Sequence, residues 1–208
     1  MKIKMSWGVL IFFCLVAFFL SGCAGGTKVT IKQESYSPSF RAGDYSRYKG
    51  KKLCLSSFFN QAQNTKSYSY SSPDNKLNYE GNVKLEELYL KGFTKAFKHI
   101  GVTLVDYTYD QDYHRHGYRY GWWGPAAGYR APKGVPEFQF ILTSLSDQEL
   151  KFKVLVFRDG DSRLDKEYTV TMPPAATEDP AQLEKRGYQL IDLAFTTIMR
   201  DRDFQKVF

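Results

Sequence analysis

The chain has 208 residues, 25% of them charged and 43% hydrophobic, with a formal net charge of +7. That length excludes several independent cores and supports one domain. The basic excess is modest, and the three cysteines, Cys14, Cys23 and Cys54, are too few for a disulfide framework.

The chain opens with Lys2 and Lys4, followed by an apolar run from Gly8 to Leu20. Such a run is too short to span a bilayer but suits export, since secretory signals carry ~7–15 apolar residues after a basic start. It closes in Leu20-Ser21-Gly22-Cys23, and Gly22, Gly25 and Gly26 oppose extending it into an anchor helix. With this box the segment 1–22 resembles a bacterial lipoprotein signal peptide. The resemblance implies cleavage before Cys23, diacylation of its thiol and acylation of the new amino group. Three acyl chains at ~0.8 kcal/mol per buried CH₂ anchor a protein stably to a membrane. Ala24 follows, where enterobacterial lipoproteins retained in the inner membrane carry Asp. The resemblance therefore implies the outer membrane, periplasmic side. Losing Lys2 and Lys4 takes the formal charge from +7 to +5. In that compartment the available anions are lipid headgroups, lipopolysaccharide phosphates and peptidoglycan, and no nucleic acid partner is expected.

Residues 23–50 are polar, with scattered Gly, Ser and Pro, and read as an acylated tether carrying at most a short strand at Lys28–Lys32. As a flexible coil the tether would reach about 25–30 Å. The folded domain is then expected over 51–208. Leu53 and Leu55, then after a break Phe59, mark a first core strand; Cys54 within it reads as a buried inert thiol. Asn60–Gly81 reads as a long polar loop. Leu85, Leu88, Tyr89, Phe93, Ala96, Phe97 and Ile100 form a helical stripe, with Asn82 suited to the N-cap and Gly101 to the left-handed C-terminal position. Val102–Val105 reads as a strand directly after it.

The stretch 106–136 has no helical or strand period and crowds Tyr and Trp among Gly, Pro and Arg. Beyond it, Phe138, Phe140 and Leu142, then Phe152, Val154 and Val156, then Tyr168, Val170 and Met172 alternate as a three-strand meander, with Asp159-Gly160 as a hairpin signal. Asp179-Pro180 starts a last helix with Leu183, Gly187, Leu190, Ile191, Ala194, Phe195 and Ile198 on its apolar face, and a short charged tail ends the chain. The expected fold is α+β: a mixed, mostly antiparallel sheet of about five strands with two amphipathic helices on one face. The Lys51–Phe58 strand, the helix ending at Gly101-Val102, Pro136–Leu142 and the Arg158-Asp159-Gly160 hairpin resemble periplasmic lipoprotein domains of the YajG type, and are similar to the amino-terminal domain of TolB. That resemblance spans about residues 50–200 and implies an envelope binding or assembly role without chemistry. The 106–136 excursion and the Asn60–Gly81 loop depart from it.

Catalytic patterns fail on spacing. His114-Arg115-His116, near Asp110 and Asp112, offers two imidazoles to a metal, but Arg115 repels a cation and no third ligand is fixed. Counted from Asp159, a calcium loop would need Gly sixth and Glu twelfth, and those places hold Leu164 and Val170. No phosphate-binding glycine loop or nucleophile elbow is present, and no cofactor is expected. The excursion offers Tyr118, Arg119, Tyr120, Trp122, Trp123, Tyr129 and Arg130 as a recognition surface for envelope proteins, peptidoglycan or anionic lipid. The alternative is a self-packed loop covering the sheet. The sequence thus points to a non-enzymatic envelope accessory. Its alternatives are a structural envelope lipoprotein without a specific ligand and a sugar- or peptidoglycan-processing enzyme.

Overall fold

The computed structural model describes residues 26–109 and 129–208, leaving Cys23 and the stretch 110–128 outside. Five strands build the larger sheet in the order β10-β9-β8-β2-β5: β2 (Lys52–Asn60), β5 (Thr103–Leu104), β8 (Glu137–Leu145), β9 (Glu149–Arg158) and β10 (Asp161–Thr171). The meander β8-β9-β10 is antiparallel, whereas β2 runs parallel to both β8 and β5. Asp159 and Gly160, both at positive φ, close the β9–β10 hairpin as the Asp-Gly pair predicts. The α+β class, the mixed sheet and the meander agree with the sequence pattern.

Alternation places Phe138, Phe140 and Leu142 on one face of β8, where all three are buried. Helices α1 (Leu85–His99) and α2 (Pro180–Arg200) supply the covering layer. Phe93 and Phe97 of α1 meet Phe138 at centroid distances of 5.8 and 5.7 Å, and Phe195 of α2 stands 4.9 Å from Phe97. In β2 the inward residues are Leu53 and Phe58, whereas Phe59 is only half-buried. The register shifts between Leu55 and Ser57, and this bulge advances the two-residue alternation by one, so Phe58 takes the inward place expected of Phe59.

Three expectations are corrected. First, residues 27–50 are not a tether. Thr27–Ile31 forms β1, parallel to β4 (Leu77–Gly81), which pairs antiparallel with β3 (Ser69–Ser71) to make a second, three-stranded sheet. Val29 and Ile31 are fully buried, and the following 3-10 turns at Gln33–Ser35 and Ala42–Tyr48 bury Tyr45 and Tyr48, with Tyr36 buried between them. Second, β3 and β4 lie inside the expected Asn60–Gly81 loop, with Leu77 and Tyr79 facing inward and Tyr70 stacked 4.9 Å from Tyr79. Third, α1 begins beyond Asn82, with Lys84 as N-cap and no side-chain cap. Asn82 instead holds the first 3-10 turn: its Oδ1 accepts from the Gln33 N–H at 2.9 Å and its amide donates to Glu34 at 2.8 Å. Gly101 does take the left-handed position after the helix, at φ +80°.

Both helices grip residues 32–39. Lys95 of α1 donates to the carbonyls of Gln33, Glu34 and Tyr36. From α2, Glu184 accepts from the Lys32 N–H at 3.1 Å, and Asp192 accepts from the Tyr36 hydroxyl at 2.7 Å and the Ser39 hydroxyl at 2.5 Å. The expected charged tail after α2 also folds, as α3 (Arg202–Val207). Asp201 caps α3 by accepting from the Asp203 and Phe204 N–H groups, and Phe204 is buried 6.1 Å from Phe138. Deleting residues 27–48 is expected to abolish the cooperative urea transition, because it strips Val29, Ile31, Tyr36, Tyr45 and Tyr48 from the core. An unchanged midpoint would return the segment to a tether.

Candidate functional site

Of the residues singled out as a recognition surface, Tyr118, Arg119, Tyr120, Trp122 and Trp123 lie outside the described residues, as do His114 and His116. Tyr129 and Arg130 are described. They form β7, a short ribbon with β6 (Thr108–Tyr109), in which Thr108 faces Arg130 and Tyr109 faces Tyr129. The ribbon pairs the two ends that flank 110–128, and Arg130 is exposed on it.

Tyr107, one residue before the ribbon, ties it to the larger sheet by donating to Glu137 at 2.9 Å. Glu137 and Gln139 alternate with Phe138 and so point away from the helices, onto the sheet's outer face. Cys54 pairs with Glu137 across the ladder, and Gln139 donates to Ser56 at 3.3 Å. Cys54, Ser56, Tyr107, Glu137 and Gln139 thus form a polar cluster at the foot of the aromatic segment. Burial, reinforced by the Glu137 charge, pushes the Cys54 thiol up to about 11. Burial likewise pushes the Tyr107 hydroxyl well above the ordinary tyrosine range. At neutral pH both groups keep their protons, so the cluster holds hydrogen bonds and presents no thiolate.

Sequence reasoning missed a buried ionic pair. Asp147, in the β8–β9 turn, is 1% exposed, and its carboxylate lies 3.7 Å from the Arg186 guanidinium of α2. The guanidinium also donates to the Pro173 carbonyl. Neither carboxylate oxygen of Asp147 has a hydrogen-bond partner. Burial raises the Asp147 carboxyl above its usual value, and Arg186 pulls it part of the way back. Ser146-Asp147-Gln148 reads as a turn in sequence, with nothing to reveal its burial. Asp192 carried a usable signal, since it interrupts the apolar run Leu190-Ile191-Asp192-Leu193-Ala194-Phe195. Among the described residues no group of three His, Cys, Asp or Glu side chains is arranged to hold a metal. His99 spends its ring on the Phe40 carbonyl, 3.0 Å away, and on the Phe40 ring.

What the geometry defines is a class: an α+β domain of two mixed sheets and two covering helices, with the β6–β7 ribbon tied through Tyr107 to the larger sheet. No family model and no curated protein matches the chain. Among solved structures it is similar to protein XCC0632 from Xanthomonas campestris, assigned to the DUF330 family, at TM-score 0.45 and 9% identity. The similarity covers 86% of this chain and 99% of that one.

Two outcomes test the site chemistry. A thiol raised from 9.0 to about 11 holds roughly 100-fold less thiolate, so Cys54 is expected to react with an aromatic disulfide at pH 8 at least 100-fold more slowly in the folded chain than in urea. Comparable rates would refute its burial. Replacing Arg186 with Met leaves the Asp147 charge unpaired and is expected to cost ~3–5 kcal/mol at pH 7. The sign follows from linkage: a carboxyl raised in the folded state holds its proton more tightly there, so stability falls as pH rises from its unfolded value through its folded one. The loss read from urea midpoints should therefore shrink at pH 4. An equal loss at both pH values would remove Asp147 as its cause.

Proposed function

We propose that this chain is a lipid-anchored protein of the outer membrane, facing the periplasm, that acts without chemistry of its own as a binding or assembly accessory of the cell envelope. The observation that carries the reading is Leu20-Ser21-Gly22-Cys23 at the end of a basic start and a short apolar run. Membrane attachment is assigned to acyl chains on Cys23.

Recognition is assigned to the aromatic segment, through Tyr118, Arg119, Tyr120, Trp122, Trp123, Tyr129 and Arg130. Tyrosine and tryptophan give large contact area for little lost rotamer freedom, and interleaved arginines pair with anions or stack on rings. The partner class is an envelope protein or anionic envelope polymer. The β6–β7 ribbon and the Tyr107–Glu137 bond support this reading, because they root the segment on the folded body.

Replacing Trp122 and Trp123 together with Ala is expected to leave the circular dichroism spectrum and urea midpoint unchanged. It should also abolish the crosslinks formed in intact cells from a photoreactive residue at position 118. Crosslinks that persist at full yield would transfer the function from this surface to a purely structural role.

A further inference from the structure

Gly26 already lies on the folded body. A Cβ built there would stand 2.5 Å from the Lys76 carbonyl oxygen and 2.7 Å from that of Asn75, so only glycine permits this approach of backbone to backbone. The Thr27 N–H donates to the Lys76 carbonyl at 2.7 Å, and β1 then runs into the core. Between Gly26 and Cys23 stand only Ala24 and Gly25. Three Cα–Cα steps of 3.8 Å place Cys23 no more than about 11 Å from Gly26, however the intervening residues are arranged. The headgroup region on each side of a bilayer is itself about 5–8 Å thick. A body whose backbone is docked that close to its acyl root has no room to hang 25–30 Å from the leaflet, as a coil-like tether would allow.

The turn beneath Gly26 has the chemistry for such contact. Pro73, Asp74, Asn75 and Lys76 are all exposed. Asp74 accepts from the Ser72 hydroxyl at 2.6 Å and from the Lys76 N–H at 3.2 Å, and the Lys76 ammonium lies 3.3 Å from its carboxylate. Asn75 takes the left-handed conformation at φ +57°, and its N–H donates to the Ser72 carbonyl at 2.9 Å, which fixes the turn. Its surface is therefore rigid and polar, and its charges offset one another: Lys76 lies beside Asp74, and the neighbouring Lys28 pairs with Glu80 at 2.5 Å. Such a surface meets a layer of zwitterionic headgroups without burying a net charge.

We propose that the Gly26–Lys28 start and the Ser72–Lys76 turn form the membrane-facing end of the protein, resting on phospholipid headgroups, with β1 and β4 rising side by side from that surface. This rests on the acylation of Cys23 proposed above. It assigns a contact surface to residues outside the aromatic segment and fixes which end of the domain faces the periplasm. Along β1, four residue steps of ~3.3 Å carry the chain about 13 Å towards the far end, where Ser35 is exposed.

The test uses the full-length acylated chain purified from membranes and reconstituted into vesicles of phosphatidylethanolamine and phosphatidylglycerol. An environment-sensitive fluorophore is placed on Lys76→Cys or on Ser35→Cys; Cys54 is buried and escapes labelling. A spin-labelled headgroup lipid is expected to quench position 76 at least twofold more than position 35. Inserting twenty Gly and Ser residues after Ala24 should erase that difference while the intact mass still shows three acyl chains. Equal quenching at both positions in an acylated chain without the insert overturns the contact and leaves the anchor standing. An intact mass without acyl chains, or with residues 1–22 retained, overturns the anchor itself and the contact with it.

Discussion

The fold depends on one knot of phenylalanine rings. Phe93 and Phe97 from α1, Phe138 and Phe140 from β8 and Phe195 from α2 meet where both helices cross the inner face of the larger sheet. Each is almost wholly shielded from water, and truncating such a side chain to Ala typically removes ~3–5 kcal/mol. A small domain is stable by only ~5–15 kcal/mol, so a single one of these rings is a large share of the whole. Phe204 and Phe208 extend the knot from α3, which explains why the chain's last residues fold back onto the sheet.

Around that knot the structure is held by polar clasps between segments far apart in sequence. Lys95 spans the carbonyls of residues 33, 34 and 36 from one side, and Asp192 gathers Tyr36 and Ser39 from the other. Lys166 of β10 bridges Asp201 at 2.6 Å and Asp203 at 2.9 Å, fastening α3 to the sheet. These contacts settle direction and register more than they add stability. The apolar surfaces are sticky in many orientations, whereas the Asp192 carboxylate, which accepts from the Tyr36 hydroxyl and from both the hydroxyl and the N–H of Ser39, is satisfied in one. The Asp147–Arg186 pair is different, because its oxygens are left without hydrogen bonds and burial works against the charge.

How much was legible follows from periodicity. The β8–β10 meander and α2 stand out because their alternation and stripe run long and unbroken, and the turn residues between them are strong signals. The smaller sheet was hidden because its strands are short, and the buried residues that follow β1 sit in or between 3-10 turns, which impose no period: Tyr45 and Tyr48 within the second turn and Tyr36 between the two. Tyrosine among serines reads as loop unless its partner is known, and the partners here are on α2, about 150 residues away. Ser56 shows the same limit in miniature, since one bulged residue reverses the phase of everything after it. Of the recognition surface, the structure describes only Tyr129 and Arg130 at its root, and the polar cluster around Glu137 carried no signal in sequence.

The strand at the border of the larger sheet has a consequence for crowding. Among the described residues β10 pairs with β9 alone, and its exposed positions include Asp161, Arg163, Asp165 and Glu167. Copies fastened to one leaflet, as proposed, diffuse in two dimensions and collide again and again with the same end down. Under those conditions bare strand borders would zip neighbouring molecules into continuous ribbons. A border studded with closely spaced charges of both signs makes such zipping costly, so copies anchored as proposed would stay separate bodies even when crowded.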